Sequence, residues 1–94
     1  MDTFEQDFKQ AIDNLCKEHK YHVDYITVGS DPEVLIIARI RGGSSGHRVE
    51  VYLRARDCKV IIPETGIENT FKKNELNGVI DCIRDFLESP LPTQ

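Results

Sequence analysis

The sequence predicts an α+β two-layer sandwich: an antiparallel meander of three to four strands, with an N-terminal and a C-terminal helix packed on one of its faces. Three observations carry that expectation. Apolar residues recur with helical spacing near the start of the chain and again near its end. Between them, two runs of alternating apolar and polar residues flank a glycine-rich stretch, the pattern of a β-hairpin. The order is therefore α-β-β-β-(β)-α, and a meander with one apolar face buries that face beneath both helices.

Residues 3–20 form the first predicted helix. Thr3 followed by Gln6 fits a capping box. Phe4, Phe8, Ala11, Ile12, Leu15 and Cys16 make one continuous stripe. Glu5 and Asp7 sit at the positive end of the helix dipole, and Lys17 and Lys20 at the negative end. The first strand follows at residues 23 or 24 to 28, where β-branched and aromatic residues concentrate. Gly29, Ser30, Asp31 and Pro32 have turn composition.

The central hairpin supplies strands two and three. Pairing Arg41 with Arg48 leaves residues 42–47 as the loop. Ile40 then meets Val49, Ala38 meets Val51, Ile36 meets Leu53 and Val34 meets Ala55, and this face is wholly apolar. The other face sets Arg39 against Glu50, Ile37 against Tyr52, Leu35 against Arg54 and Glu33 against Arg56. A slip of one residue would put arginines among valines, which burial forbids. A slip of two would set Arg39 directly against Arg48, and like charges in that position destabilise the pair. The hairpin thus presents one apolar and one arginine-rich face.

Asp57 and Cys58 suit a tight turn into a short fourth strand at residues 59–62, stopped by Pro63; an extended coil along the sheet edge is the alternative. Residues 64–69 read as a connecting loop. The second helix begins between Thr70 and Glu75 and runs to about Glu88, with Leu76, Val79, Ile80, Ile83 and Leu87 as its stripe. Ser89 and Pro90 end it, because a residue before proline avoids the α region.

Ninety-four residues suit one domain spanning residues 1–94, ordered over about 3–88 with a flexible tail at 89–94. The net charge of −4 argues against a general nucleic-acid binder. The charge is uneven, however: residues 33–56 hold five of the six arginines against Glu33 and Glu50. The acidic start lacks the apolar stretch of a signal peptide. Three scattered cysteines, Cys16, Cys58 and Cys82, form no disulfide framework. The expected compartment is reducing and cytoplasmic.

Three motifs carry candidate chemistry. Gly42-Gly43-Ser44-Ser45-Gly46 matches G-x-S-x-G, but a nucleophile elbow needs a strand-to-helix turn in a large parallel sheet. Here it reads as a hairpin loop, with Arg41, His47 and Arg48 beside it as weak phosphate ligands. Cys16, His19 and His22 have metal-like spacing, but a structural zinc takes four ligands and Cys16 also completes the apolar stripe. Neither a metal nor a cofactor is expected. Cys58 at a turn, near Arg56 and Lys59, is a candidate exposed thiol. Asp81 and Asp85 read as a solvated pair on the second helix.

The arginine face is the principal candidate site: Arg39, Arg41, Arg48, Tyr52, Arg54 and Arg56. Arg39 and Arg56 have Glu50 and Glu33 as partners, each pair contributing under about 1 kcal/mol. Arg41, Arg48 and Arg54 have no evident partner. Arginine and tyrosine are favoured at interface hot spots, and the guanidinium fits carboxylates and phosphates bidentately. The expectation is a small non-enzymatic protein-binding module, an inhibitor or adaptor, that takes an acidic protein surface or a second copy of itself through the open sheet face. No membrane partner is expected.

The α-β-β-β-α order is also similar to that of double-stranded-RNA-binding domains, over residues 4–88. Lys72 and Lys73, just before the second helix, resemble the basic cluster that family places there to meet phosphates. The resemblance implies nucleic-acid or nucleotide-phosphate binding by the same arginines, with Lys72 and Lys73 as secondary contacts. Asn74-Glu75-Leu76-Asn77 departs from that family's alanine- and lysine-rich helix. The loop before it is longer, and the first helix is acidic where the family contacts RNA. In size and layout the chain is also broadly similar to small acidic α/β viral inhibitors of host defences, with no residue motif in common.

Overall fold

The computed structural model describes residues 4–27 and 33–88. The chain runs α1 (Phe4–His19), β1 (His22–Ile26), β2 (Val34–Arg41), β3 (Val49–Arg54), β4 (Asp57–Ile62), β5 (Ile67–Lys72) and α2 (Leu76–Glu88). The five strands form one antiparallel meander in sequence order. Both helices pack on one face of it, in a two-layer α+β sandwich. Thr3, the Phe4 side chain, Val28, the turn at 29–32 and the tail at 89–94 lie outside the described residues.

Period-2 alternation explains the core. Ile36, Ala38 and Ile40 of β2, Val49, Val51 and Leu53 of β3, and Cys58, Val60 and Ile62 of β4 all point beneath the helices and are buried. Phe8, Ile12, Leu15 and Cys16 from α1, with Val79, Cys82, Ile83 and Leu87 from α2, close over them. The hairpin register is the predicted one from Ile36↔Leu53 to Ile40↔Val49. At the far end it changes. A bulge between Val34 and Ile36 sets Val34, not Leu35, against Arg54. Leu35 turns to pack on the core instead, because one extra residue on a strand reverses the faces beyond it.

Two expectations about the second half are corrected. Asp57 and Cys58 belong to β4, and the chain reverses at Ala55 and Arg56 instead. Cys58 is buried, not exposed. Residues 64–69 are not a loop: the chain turns over residues 63–66 and returns as β5. The connection between Ile62 and Ile67 is a four-residue turn closed on one carbonyl. Thr65 N and Gly66 N both donate to the Ile62 carbonyl, at 3.2 and 2.9 Å, and Gly66 takes a φ of +78°. Pro63 stands at the second position of that turn, where its fixed φ suits it. β5 itself is mostly exposed and carries Glu68, Asn69 and Thr70 in a row. It lacks the apolar alternation that marks the other strands.

The helix ends are set locally. Lys20, at φ +60°, continues α1 in the left-handed conformation, and Tyr21 N donates to the Cys16 carbonyl at 2.9 Å, a Schellman closure made without glycine. α2 starts at Leu76, later than the earliest start the sequence allowed, because Thr70 to Lys72 belong to β5. Glu75 precedes it and accepts from Val79 N at 3.1 Å. Its C-terminus is capped by a distant segment. Ser45 N donates to the Leu87 carbonyl at 2.8 Å, and the Ser45 hydroxyl to the Phe86 carbonyl at 3.0 Å. The Ser44 hydroxyl lies 2.6 Å from Glu88 Oε1 and 3.0 Å from the Glu88 carbonyl. The last-turn carbonyls that a helix leaves without partners are thus satisfied by the loop between β2 and β3.

Glu88 makes that clasp titratable. Ser44 N donates to Oε1 at 3.1 Å, and the Tyr21 hydroxyl donates to Oε2. Hydrogen bonds to the charged form, from Ser44 first and then Tyr21, hold the carboxyl down at about 2. A depressed carboxylate stabilises the fold above its unfolded value near 4.5, and that contribution disappears as pH falls toward 2. Urea midpoints measured from pH 6 to pH 2 are therefore expected to fall more steeply for the native chain than for Glu88→Gln. Parallel curves would mean that Glu88 does not hold the loop.

Candidate functional site: the open sheet face

The face of the sheet opposite the helices is set by the same register. One row across it reads Asp24, Arg39, Glu50, Ile61 and Glu68, and the next reads Ile26, Ile37, Tyr52, Lys59 and Thr70. Arg41 pairs with His22 at one end of the face, and Asp57 with Lys72 at the other. No helix covers these rows. Arg39 is exposed, whereas Ile37, Tyr52 and Ile61 are half-buried among the long side chains around them. The middle of the face is thus apolar and aromatic, with charges on both sides. The helix layer behind it is net acidic: α1 holds Glu5, Asp7, Asp13 and Glu18, and α2 holds Asp81, Asp85 and Glu88, against Lys9, Lys17 and Arg84.

The arginines fall into two groups. Arg39 Nε lies 3.2 Å from Glu50 Oε2, the predicted pair, and the Tyr52 hydroxyl donates to Glu50 Oε1 at 2.9 Å. Burial first, and then this bond to Glu50, push the Tyr52 phenol pKa up. Lys59 Nζ sits 5.3 Å from the Tyr52 ring centroid and 3.7 Å from Glu68 Oε2. Arg54, without an evident partner in the sequence, is held bidentately by Asp57: Nε to Oδ1 at 2.5 Å and Nη2 to Oδ2 at 2.9 Å. The sequence concealed this partner because Asp57 reads as part of a turn. In the structure the reversal at Ala55 and Arg56 brings residues 54 and 57 onto one face.

Arg41, Arg48 and Arg56 make no side-chain hydrogen bond or ion pair among the described residues, so the expected Arg56–Glu33 pair does not form. Arg41 and Arg48 come together. With Asp24, Arg39 and Ile40 they line a shallow pocket of about 180 Å³ at the β2–β3 end of the face. Arg56 lies at the opposite end, in a pocket of about 300 Å³ with Glu33, Arg54, Ala55 and Asp57. The two predicted secondary residues separate. Lys72 ends β5 on the open face beside Asp57, whereas Lys73 lies in the turn leading to α2 and is half-buried.

The other motifs resolve into structure. Gly42-Gly43-Ser44-Ser45-Gly46 is the loop that caps α2, and its serines bond to Glu88, Leu87 and Phe86 rather than to a histidine. Cys16 is buried and its thiol is raised to about 11, by burial first and then by Asp13. His19 stacks on Tyr21 at 5.2 Å, and His22 begins β1. Burial, reinforced by Asp57, pushes the Cys58 thiol up to about 12, which removes its candidacy as a reactive thiolate. Among the described residues, no three His, Cys, Asp or Glu side chains converge as a metal site, and no helix is long and apolar enough to cross a membrane.

No protein-family model matches the chain, and neither does any curated protein or solved structure.

Proposed function

We propose that this chain is a small non-enzymatic binding module of the cytoplasm, an inhibitor or adaptor, whose open sheet face takes an acidic protein surface. The observation that carries the reading is the pocket where Arg41 and Arg48 stand, without side-chain partners among the described residues, beside Arg39. Two free guanidiniums in one concavity suit a carboxylate, which each can meet bidentately. Their backbone is held in advance. The loop joining them is fastened to α2 by Ser44 and Ser45, which lowers the ordering cost of binding. Ile37 and Tyr52, four residues along the strands from Arg41 and Arg48, supply apolar and aromatic contact at the centre of the face. Arg39, Arg54 and Lys59 already have carboxylate partners and contribute shape more than free charge.

The test uses the double variant Arg41→Glu with Arg48→Glu. Arg54 stays, because its reversal would leave Asp57 unpaired. Neither changed side chain makes a hydrogen bond or ion pair among the described residues, so the melting temperature should stay within a few degrees. Anisotropy with a labelled oligoglutamate peptide is expected to show a loss of roughly 30- to 1,000-fold, given about 1–2 kcal/mol for each of the two hot-spot arginines. Unchanged binding would remove this face from consideration. Tighter binding to duplex RNA, falling by several powers of ten between low and moderate salt, would replace the protein partner with nucleic acid.

A further inference from the structure

A meander leaves two edge strands, β1 and β5, and an open edge is a template for another chain. The outer edge of β5 can be read residue by residue. In an antiparallel strand the N–H and C=O of one residue point to the same side, and successive residues alternate. Lys72 N donates to Glu75 Oε1 at 2.9 Å, and the Lys72 carbonyl accepts from Glu75 N at 3.0 Å. Both groups of Lys72 therefore face away from β4. By alternation so do those of Thr70 and Glu68, while Phe71, Asn69 and Ile67 bond to β4. The turn agrees, since the Ile62 carbonyl accepts from Gly66 N at 2.9 Å and so faces β5, which turns its ladder partner Ile67 toward β4. The described residues thus leave two residues on this edge, Glu68 and Thr70, with both backbone groups open. Ile67, at 40% exposure, is the only exposed large hydrophobic residue among them.

We propose that β5 pairs with β5 of a second copy of this chain, antiparallel about a two-fold axis at Asn69, joining two five-stranded sheets into one. The register follows from the open groups. A dyad at Asn69 sets Glu68 against Thr70 of the other copy, twice, so four backbone hydrogen bonds use every open group. A dyad at Thr70 would require the N–H and C=O of Lys72, which Glu75 occupies. A dyad between residues would place a helix-facing side chain opposite an open-face one, which the pleat forbids.

The chosen register is also complementary in side chains. Ile67 meets Phe71 across the seam on the helix side, which covers the exposed isoleucine. On the open side Glu68 and Lys72 become diagonal neighbours of opposite charge, and no like charges stand directly opposite. The other edge is worse suited, since a dyad at the middle of β1 sets Asp24 against itself. The seam leaves both open faces exposed and side by side, so it extends the binding face rather than covering it.

Sedimentation equilibrium on the full chain tests this. The expected mass at high concentration is twice the 10.8 kDa of one chain, reverting to one chain for Thr70→Pro. Proline there removes only an outward N–H, so the inward ladder is kept. Hydrogen exchange on the native chain gives an independent reading if the variant fails to fold. The Glu68 and Thr70 amides should slow with rising concentration, while the Lys72 amide, held by Glu75, should not respond. A monomer throughout the micromolar to millimolar range would overturn the proposal. So would a dimer that survives Thr70→Pro, or one whose Glu68 and Thr70 amides stay fast.

Discussion

Gly43→Val is expected to lower the unfolding free energy by about 3 kcal/mol, combining overpacking with the loss of a helix cap. Gly43 does not need its glycine for backbone conformation, because its φ is not positive. It needs it for space. A Cβ at Gly43 would lie 2.3 Å from the Leu87 carbonyl oxygen and 2.6 Å from the Leu87 Cβ. Neither atom is the end of a flexible side chain, so the loop must lift away from α2. Lifting it strips Leu87, Phe86 and Glu88 of their donors from Ser45 and Ser44, and Tyr21 loses the neighbour that shares Glu88 with it. For a domain of this size the melting temperature should fall by roughly 10–20 °C. Gly46→Ala is the control. Gly46 sits at φ +76° with nothing within 4 Å of a built Cβ, so alanine there costs about 1 kcal/mol of backbone strain. If the two substitutions cost the same, close approach to α2 is not what Gly43 provides. The Gly43 variant should also weaken binding by the Arg41–Arg48 pocket, since both arginines leave the ends of this loop.

Phe8→Ala is expected to cost about 3–5 kcal/mol, the range for emptying a buried aromatic site. Phe8 is fully buried in the cluster where α1 and α2 close over the sheet. That is a large share of the 5–15 kcal/mol that holds a typical domain, and the variant should be partly unfolded at 37 °C. Phe8→Leu keeps most of the volume and should cost less than half as much. The comparison by urea unfolding separates a packed helix from a loosely held one. An alanine variant within 1 kcal/mol of the native chain would mean that α1 contributes little to the core.

The reading of β5 shows why one strand in five escaped the sequence. Ile67-Glu68-Asn69-Thr70-Phe71-Lys72 buries little: Phe71 is half-buried against Gly78 of α2, and Asn69 turns toward Cys82. An edge strand owes its place to the ladder with β4 rather than to an apolar face, and ladder bonds leave no trace in side-chain periodicity. A signal was present in the preceding turn. Pro63 at the second position and Gly66 at the left-handed position announce a four-residue hairpin connection. Pro63 by itself marks only the end of the fourth strand, and it is Gly66 three residues later that distinguishes a turn from a loop.

The sequence by itself determined the two-layer α+β class, both helices, and the register of β2 on β3 from Ile36 to Ile40. It also placed Arg39, Arg41 and Arg54 on the strands that carry the open face. All of these follow from periodicity, because burial penalises a wrong face at every second residue of a strand and every third or fourth of a helix. Only the tertiary structure decided which arginines are free. Arg54 and Asp57 meet through a chain reversal, Arg41 and Arg48 converge through a loop, and that loop is held by a helix end 41 to 44 residues further along the chain. Pairings of that kind depend on where the backbone turns, and turns are set by a few φ angles and close contacts that the pattern of apolar residues does not encode.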